Sequence, residues 1–201
     1  MISIIDYGAG NIFSVKNALD YLGFDNKLTK DKAEIENSDA IILPGVGAFP
    51  SAMNMLNETG LTDTIKAQAK VKPFLGICLG MQMLFDKSYE FEECDGLGLI
   101  NGKVDNVIAE GMNIPHMGWN KLEKLNDCPL LDNLNDDEYV YFVHSYQAYC
   151  DDKNIAAYCE YANRIPALVF DGNNVYGAQF HPEKSGETGL KILRNFGGLI
   201  R

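Results

Sequence analysis

Three times within its first 85 residues the chain repeats one unit: a short apolar run, a glycine-bearing turn, then a stretch with helical spacing. Ile2-Ser3-Ile4-Ile5-Asp6 leads through Gly8-Ala9-Gly10-Asn11 into Ile12, Val15, Leu19 and Leu22, which share one helical face until Gly23. Residues 39–43 end at Pro44-Gly45-Val46-Gly47 and are followed by helical sequence over 51–70, broken near Gly60. Residues 73–77 run through Gly76-Ile77-Cys78-Leu79-Gly80 into a helix expected over 79–85, and 24–28 reads as a further strand. Strand, turn and helix repeated in this way bury their apolar surface as a parallel sheet with helices on both faces.

The second half is richer in strands, expected over 97–107, 139–146, 155–161, 167–170 and 175–180, with a last helix over 187–196 before Gly197-Gly198. No proline- or serine-rich linker divides the chain and no repeat appears, so residues 1–201 are expected to form a single α/β domain with antiparallel strands added in the second half. Hydrophobic residues make up 46% and charged residues 22%, which excludes disordered, collagen-like and coiled-coil classes. Seventeen Lys and Arg against 28 Asp and Glu give a net charge of −11 with no basic stripe. Nucleic acid and anionic membranes, which need clustered cations, are therefore not expected partners. The five cysteines form no CxxC pair and no signal peptide is visible, so free thiols and a cytoplasmic location are expected.

In open α/β sheets ligands gather at the carboxyl ends of the parallel strands, where the three glycine turns lie. The first, Gly8-x-Gly10, has Phe13 where a dinucleotide fingerprint needs a small residue, so it reads as a tight turn. No GxxxxGK[ST] loop occurs, no HExxH occurs and the three histidines are scattered, so neither a cofactor nor a metal is expected. The second turn places Cys78 between Gly76 and Gly80 at a strand-to-helix junction, which is the nucleophile-elbow pattern with sulfur in place of oxygen. A sharp turn leaves no room for Cβ atoms beside it. A helix N-terminus favours a thiolate, and the Leu79 N–H would point to a developing oxyanion. The third turn would supply the second oxyanion donor from the Val46 N–H. Glycines on both sides would leave that peptide free to reorient.

A nucleophilic thiol needs a base, and His116, His144 and His181 are the choices. His181 opens His181-Pro182-Glu183, and in extended chain residues i and i+2 share a face. Glu183 would then hold the imidazole, giving nucleophile, base and orienting group in Cys78, His181 and Glu183.

These segments resemble the class I (triad) glutamine amidotransferases. Within that family they are most similar to the glutaminase subunits of imidazole glycerol phosphate synthases. The resemblance runs nearly end to end. It includes Asp6-Tyr7-Gly8-Ala9-Gly10-Asn11, Pro44 to Phe49, Leu75 to Gln82, Pro115-His116-Met117-Gly118-Trp119-Asn120, Tyr141 to Tyr146 and Gln179 to Ser185. It implies a three-layer, flavodoxin-like fold and attack of Cys78 on the side-chain amide of L-glutamine. Water then hydrolyses the thioester with His181 as base. It further implies that Gly47, Gln82, Glu90, His144, Ser145 and Tyr146 bind the glutamine. Ammonia would pass to a separate (β/α)₈ cyclase subunit, in a heterodimer that makes imidazole glycerol phosphate for histidine synthesis.

Read from the residues alone, Glu90 is also one acid of the run Glu90, Glu92, Glu93, and Gln82 is also a polar surface residue. Pro115 to Asn120 reads either as a packed core loop or as a partner-facing segment, since Trp and Met are typical of interfaces. A glutaminase paralogue serving another amidating partner, or a stand-alone cysteine hydrolase, would fit the same triad. A non-catalytic subunit would be expected to lack Cys78, His181 or Glu183. The other cysteines, 94, 128, 150 and 159, read as ordinary thiols.

Overall fold

The structure, a computed structural model, describes residues 1–108 and 111–200. Its first half is β1 (Ile2–Ile5), α1 (Ile12–Tyr21), β2 (Asn26–Thr29), α2 (Lys32–Asn37), β3 (Ala40–Gly45), α3 (Phe49–Glu58), α4 (Thr62–Ala69), β4 (Phe74–Cys78) and α5 (Leu79–Gln82). The second half is β5 (Phe85–Ser88), β6 (Cys94–Asp95), β7 (Ile100–Asn106), β8 (His116–Lys121), β9 (Glu123–Lys124), β10 (Tyr139–His144), β11 (Tyr146–Tyr149), β12 (Ile155–Tyr161), β13 (Asn163–Phe170), β14 (Val175–Ala178) and α6 (Gly186–Gly197).

The main sheet has eight strands in the order β2-β1-β3-β4-β14-β13-β12-β9. Strands β2 to β14 of that order run parallel, while β13, β12 and β9 continue the sheet antiparallel. Alternation along each parallel strand splits its side chains between two cores. Ile2, Ile4, Ala40, Ile42, Leu75 and Ile77 pack on one face with Val15 and Leu19 of α1 and Ile192, Leu193 and Phe196 of α6. Ile5, Ile41, Leu43 and Phe74 pack on the other with Met53 and Leu56 of α3 and Ile65 of α4. Both faces are covered, which is why these strands are apolar throughout. A four-stranded sheet, β11-β7-β5-β6, adds Phe85, Ile100, Val104 and Ala148 to the second core. β8 and β10 pair as a separate antiparallel ribbon.

The parallel half follows the sequence pattern, including the break at Gly60, which adopts φ +71°. Three local expectations change, and one helix appears that the sequence pattern did not announce. The helix expected over 79–85 stops at Gln82, because the carbonyls of Met83, Leu84 and Phe85 accept from Leu97, Leu99 and Gly98, and Phe85 enters a sheet. Residues 115–120 are not a loop: strand β8 begins at His116 and pairs along its whole length with β10. The strand expected over 139–146 divides at Ser145 into β10 and β11, which belong to different sheets. Helix α2, short and mostly polar, has no apolar periodicity to announce it; Asp31 caps it by accepting from the Glu34 N–H at 3.0 Å. No described helix is long and apolar enough to cross a membrane.

Candidate active site

Cys78 ends β4 at the carboxyl edge of the parallel sheet and takes φ +56°, ψ −111°, a conformation that L residues rarely adopt. Its glycines are required by space. A Cβ on Gly80 would stand 1.8 Å from the Leu43 carbonyl oxygen, and one on Gly76 would stand 2.5 Å from the Gly80 carbonyl oxygen. The elbow is thus pressed against β3 and itself, with the sulfur left facing a cavity. Helix α5 behind it has only four residues, so its dipole adds little.

His181 follows β14 and is buried, as is the side chain of Glu183. Its Nδ1 lies 2.8 Å from Glu183 Oε1. The two meet as expected but for a different reason. Residues Pro182–Lys184 form one 3₁₀ turn, and that turn, not an extended chain, brings the carboxylate back to the ring. The His181 N–H donates to the Tyr141 carbonyl at 3.1 Å, and Ser185 Oγ donates to the His181 carbonyl at 2.7 Å, so the backbone is held on both sides. Burial alone would lower the His181 pKa; hydrogen bonds and charge from Cys78 and Glu183 outweigh it and push it up to about 9.

The cavity, about 320 Å³, is lined by Val46, Gly47, Cys78, Leu79, Gln82, Glu90, Pro115, Val143, His144, Ser145, Tyr146 and His181. It therefore gathers every site residue expected from the sequence except Glu183, which stands behind His181. Neither Gln82 nor Glu90 is a surface residue. Gln82 Nε2 donates to the Tyr146 carbonyl and to Gln179 Oε1, both at 3.0 Å. Glu90 Oε2 accepts from the Phe49 N–H at 2.7 Å, and burial raises its pKa against that bond. The glycines flanking Val46 differ in role. A Cβ on Gly45 would meet Gly80 N at 2.7 Å, so Gly45 is there for close approach. Gly47 sits at φ +100° with open space around it, so conformational freedom belongs to the Val46–Gly47 side of the loop.

Sequence reasoning missed Gln179, which is fully buried and bridges Gln82 and the thiol, its Nε2 4.0 Å from Cys78 Sγ. Its place two residues before His181 was the available signal. Tyr7 was also missed. Burial and the neighbouring Cys78 raise its phenol far above the ordinary value, which keeps it neutral beside the sulfur. A larger depression, about 500 Å³, includes Cys128, but burial pushes that thiol up to about 11 and no histidine lines it. Burial likewise holds Cys150 at about 11 and Cys159 at about 12, and raises Cys94, as suits ordinary thiols. Among the described residues no group of three or more His, Cys, Asp or Glu is placed to hold a metal ion.

A strained cysteine elbow with a buried His–Glu pair is chemistry that several folds share, so kinship must decide the family. Residues 3–198 match the family model for glutamine amidotransferase class-I. The chain belongs to the class I glutamine amidotransferases. Among curated relatives of this amidotransferase, an "Imidazole glycerol phosphate synthase subunit HisH" from Bacillus cereus is 51% identical over 201 residues, covering all of this chain and 95% of the relative. A protein of the same description from Caldanaerobacter subterraneus subsp. tengcongensis is 52% identical over 203 residues, covering 100% and 99%. Solved structures share the amidotransferase's fold at lower identity. A chain of PurLQS from Thermotoga maritima has a TM-score of 0.77 at 23% identity, covering 100% of this chain and 98% of that one. A glutamine amidotransferase from Thermotoga maritima has a TM-score of 0.64 at 18% identity, covering 98% and 82%.

Proposed function

We propose that this chain is the glutaminase subunit of an imidazole glycerol phosphate synthase, hydrolysing glutamine to glutamate and ammonia through a cysteinyl thioester. The observation that carries the reading is the Cys78–His181–Glu183 constellation opening into a 320 Å³ cavity with a buried carboxylate. Full-length relatives about half identical and described as that subunit support it. Residues 1–201 are read as one domain, since the eight-stranded sheet takes strands from both halves of the sequence.

In this reading Cys78 Sγ attacks the side-chain amide carbon of glutamine. The oxygen of the tetrahedral intermediate takes hydrogen bonds from the Leu79 and Val46 N–H groups. The His181 imidazolium gives its proton to the nitrogen as the C–N bond breaks, and ammonia leaves. Neutral His181 then takes a proton from water, which attacks the thioester; glutamate departs and the thiol is restored. Glu183 holds the ring throughout. Glu90 and the Gln82 side-chain oxygen suit the α-ammonium, whose charge would stabilise the ionised form of the buried Glu90 carboxylate. The Gln82 nitrogen is already committed. Gly47 and the backbone of residues 144–146 complete the edge for the α-carboxylate.

A raised His181 pKa has a definite sign. The imidazolium persists below about pH 9 and is lost above it. Glutaminase turnover is therefore expected to hold through neutral pH and fall along an alkaline limb near 9. Glu183→Gln removes the favourable carboxylate and should move that limb down. A limb unmoved by Glu183→Gln would contradict the assignment.

The outer face of the β8–β10 ribbon carries Met117 and Trp119, 60% and 54% exposed, beside the cavity wall formed by Pro115 and Val143. Aromatic and methionine side chains exposed together suit a protein interface. In this reading a (β/α)₈ cyclase docks there, close to the Val46–Gly47 peptide, in a cytoplasmic heterodimer. Ammonia release from glutamine is expected to be low for the chain alone and to rise at least about tenfold with a cyclase holding its nucleotide substrate. Equal turnover with and without the partner would favour a stand-alone hydrolase instead.

A further inference from the structure

The ribbon that borders the cavity carries two histidines the thioester chemistry leaves unused. His116 of β8 and His144 of β10 are direct cross-strand partners, 0% and 6% exposed. His116 Nδ1 lies 2.9 Å from His144 Nε2, and His144 Nδ1 lies 2.8 Å from the Tyr146 carbonyl oxygen. At the other end His116 Nε2 is 2.8 Å from Asn120 Oδ1, and Asn120 Nδ2 donates to the Glu160 carbonyl at 3.3 Å. The His116 ring is stacked between Phe142 and Tyr161, with centroids 4.7 and 3.9 Å away.

Proton positions along this chain follow from its ends. A carbonyl only accepts, so Tyr146 requires an N–H on His144 Nδ1. In neutral His144 the Nε2 is then an acceptor, and His116 must present N–H from its Nδ1. Neutral His116 in turn needs a donor at Nε2. The neutral chain therefore needs the Asn120 amide reversed from its Oδ1-inward orientation, which gives up the Nδ2 bond to the Glu160 carbonyl. Burial lowers the pKa of both rings, His144 to about 3, so the neutral pair is the ground state. The Tyr146 carbonyl receives Gln82 Nε2 as well, and the Ser145 carbonyl receives the Val107 N–H at 3.0 Å, so both carbonyls of this dipeptide are committed.

We propose that His116 and His144 are positioning residues for glutamine binding: a proton-ordered chain from Asn120 to the Tyr146 carbonyl fixes the Ser145–Tyr146 edge of the cavity. The same chain ties that edge to β8, whose opposite face carries Met117 and Trp119. The inference rests on the glutaminase reading above. Neither histidine meets the reacting atoms, so the effect belongs in substrate affinity.

Two measurements on the full chain test it. Nitrogen-15 spectra of the imidazoles at pH 7 should show both His116 and His144 as the Nδ1–H tautomer. In the second, His116→Phe keeps the stacked ring and removes the donor, while His116→Asn keeps a donor near the Nδ1 position. With the cyclase present, the Phe variant should raise KM for glutamine about tenfold, about 1.4 kcal/mol. The Asn variant should stay within about threefold of the parent, and kcat within about threefold in both. An Nε2–H tautomer at His144, or equal KM values for the two variants, overturns the proposal. If the Phe variant fails to fold, the tautomer of the parent decides. A parent that releases no ammonia overturns the glutaminase reading, a result distinct from a wrong tautomer.

Discussion

Cys78→Ala is expected to lower ammonia release from glutamine at least about a thousandfold, with the cyclase and its nucleotide present. Removing the nucleophile eliminates the covalent route and leaves only binding and oxyanion stabilisation to act on attack by water. The fold should be spared. Alanine inherits the same φ of +56°, so the strain at the elbow is unchanged and only one buried sulfur is lost. Denaturation of Cys78→Ala is therefore expected within about 1–2 kcal/mol of the parent. The comparison separates a missing nucleophile from a damaged structure. Wild-type turnover in the alanine variant would sink the thioester mechanism, whatever the fate of the partner reading.

The largest structural effect is expected at Gly80. A methyl group there would stand 1.8 Å from the Leu43 oxygen and 2.9 Å from its carbon, both backbone of a central strand. Neither atom can yield without moving β3 against β1 and β4, with which it pairs. Gly80→Ala should therefore cost about 3 kcal/mol or more, a large fraction of a domain's net stability, and disturb the elbow with it. Gly47→Ala offers the contrast. Open space surrounds Gly47, so its cost is only that of an unfavourable φ, about 1–2 kcal/mol. Urea denaturation of the two variants, followed by circular dichroism, checks the ordering. A Gly80 variant no less stable than the Gly47 variant would show that β3 does not press on the elbow.

The parallel half of the fold was legible because each strand's apolar run and each glycine turn are local signals. Period two distributes Ile41 and Ile42 to opposite cores, and neither face needs information from far along the chain to be recognised as buried. The second half was less legible. Residues 115–120 alternate in the reverse sense of a half-buried strand, with Met117 and Trp119 exposed and His116 buried. His116 to Asn120 form a strand because β10 offers each of them a backbone partner 20 to 28 residues later. The helix after Cys78 was overextended for a similar reason, since Met83 to Phe85 are captured by Leu97 to Leu99.

The site divides in the same way. Cys78 between two glycines and His181-Pro182-Glu183 pointed to the three proposed triad members from residue type and spacing alone. Residue order could not say that Gly45 serves close packing while Gly47 retains freedom, because the difference lies in how near Gly80 and Tyr7 approach. Nor could it say that Glu90 is buried against the start of α3, or that Gln179 and the His116–His144 pair brace the cavity. By itself the sequence determined the parallel α/β core, the cysteine elbow and the His–Glu pair, since these depend on periodicity, turn geometry and neighbours a few residues apart. Tertiary structure alone decided how the edge of the cavity and the ribbon beside it are held. Those depend on buried hydrogen bonds between residues 28 to 97 positions apart, and the partners exist only once the sheets have assembled.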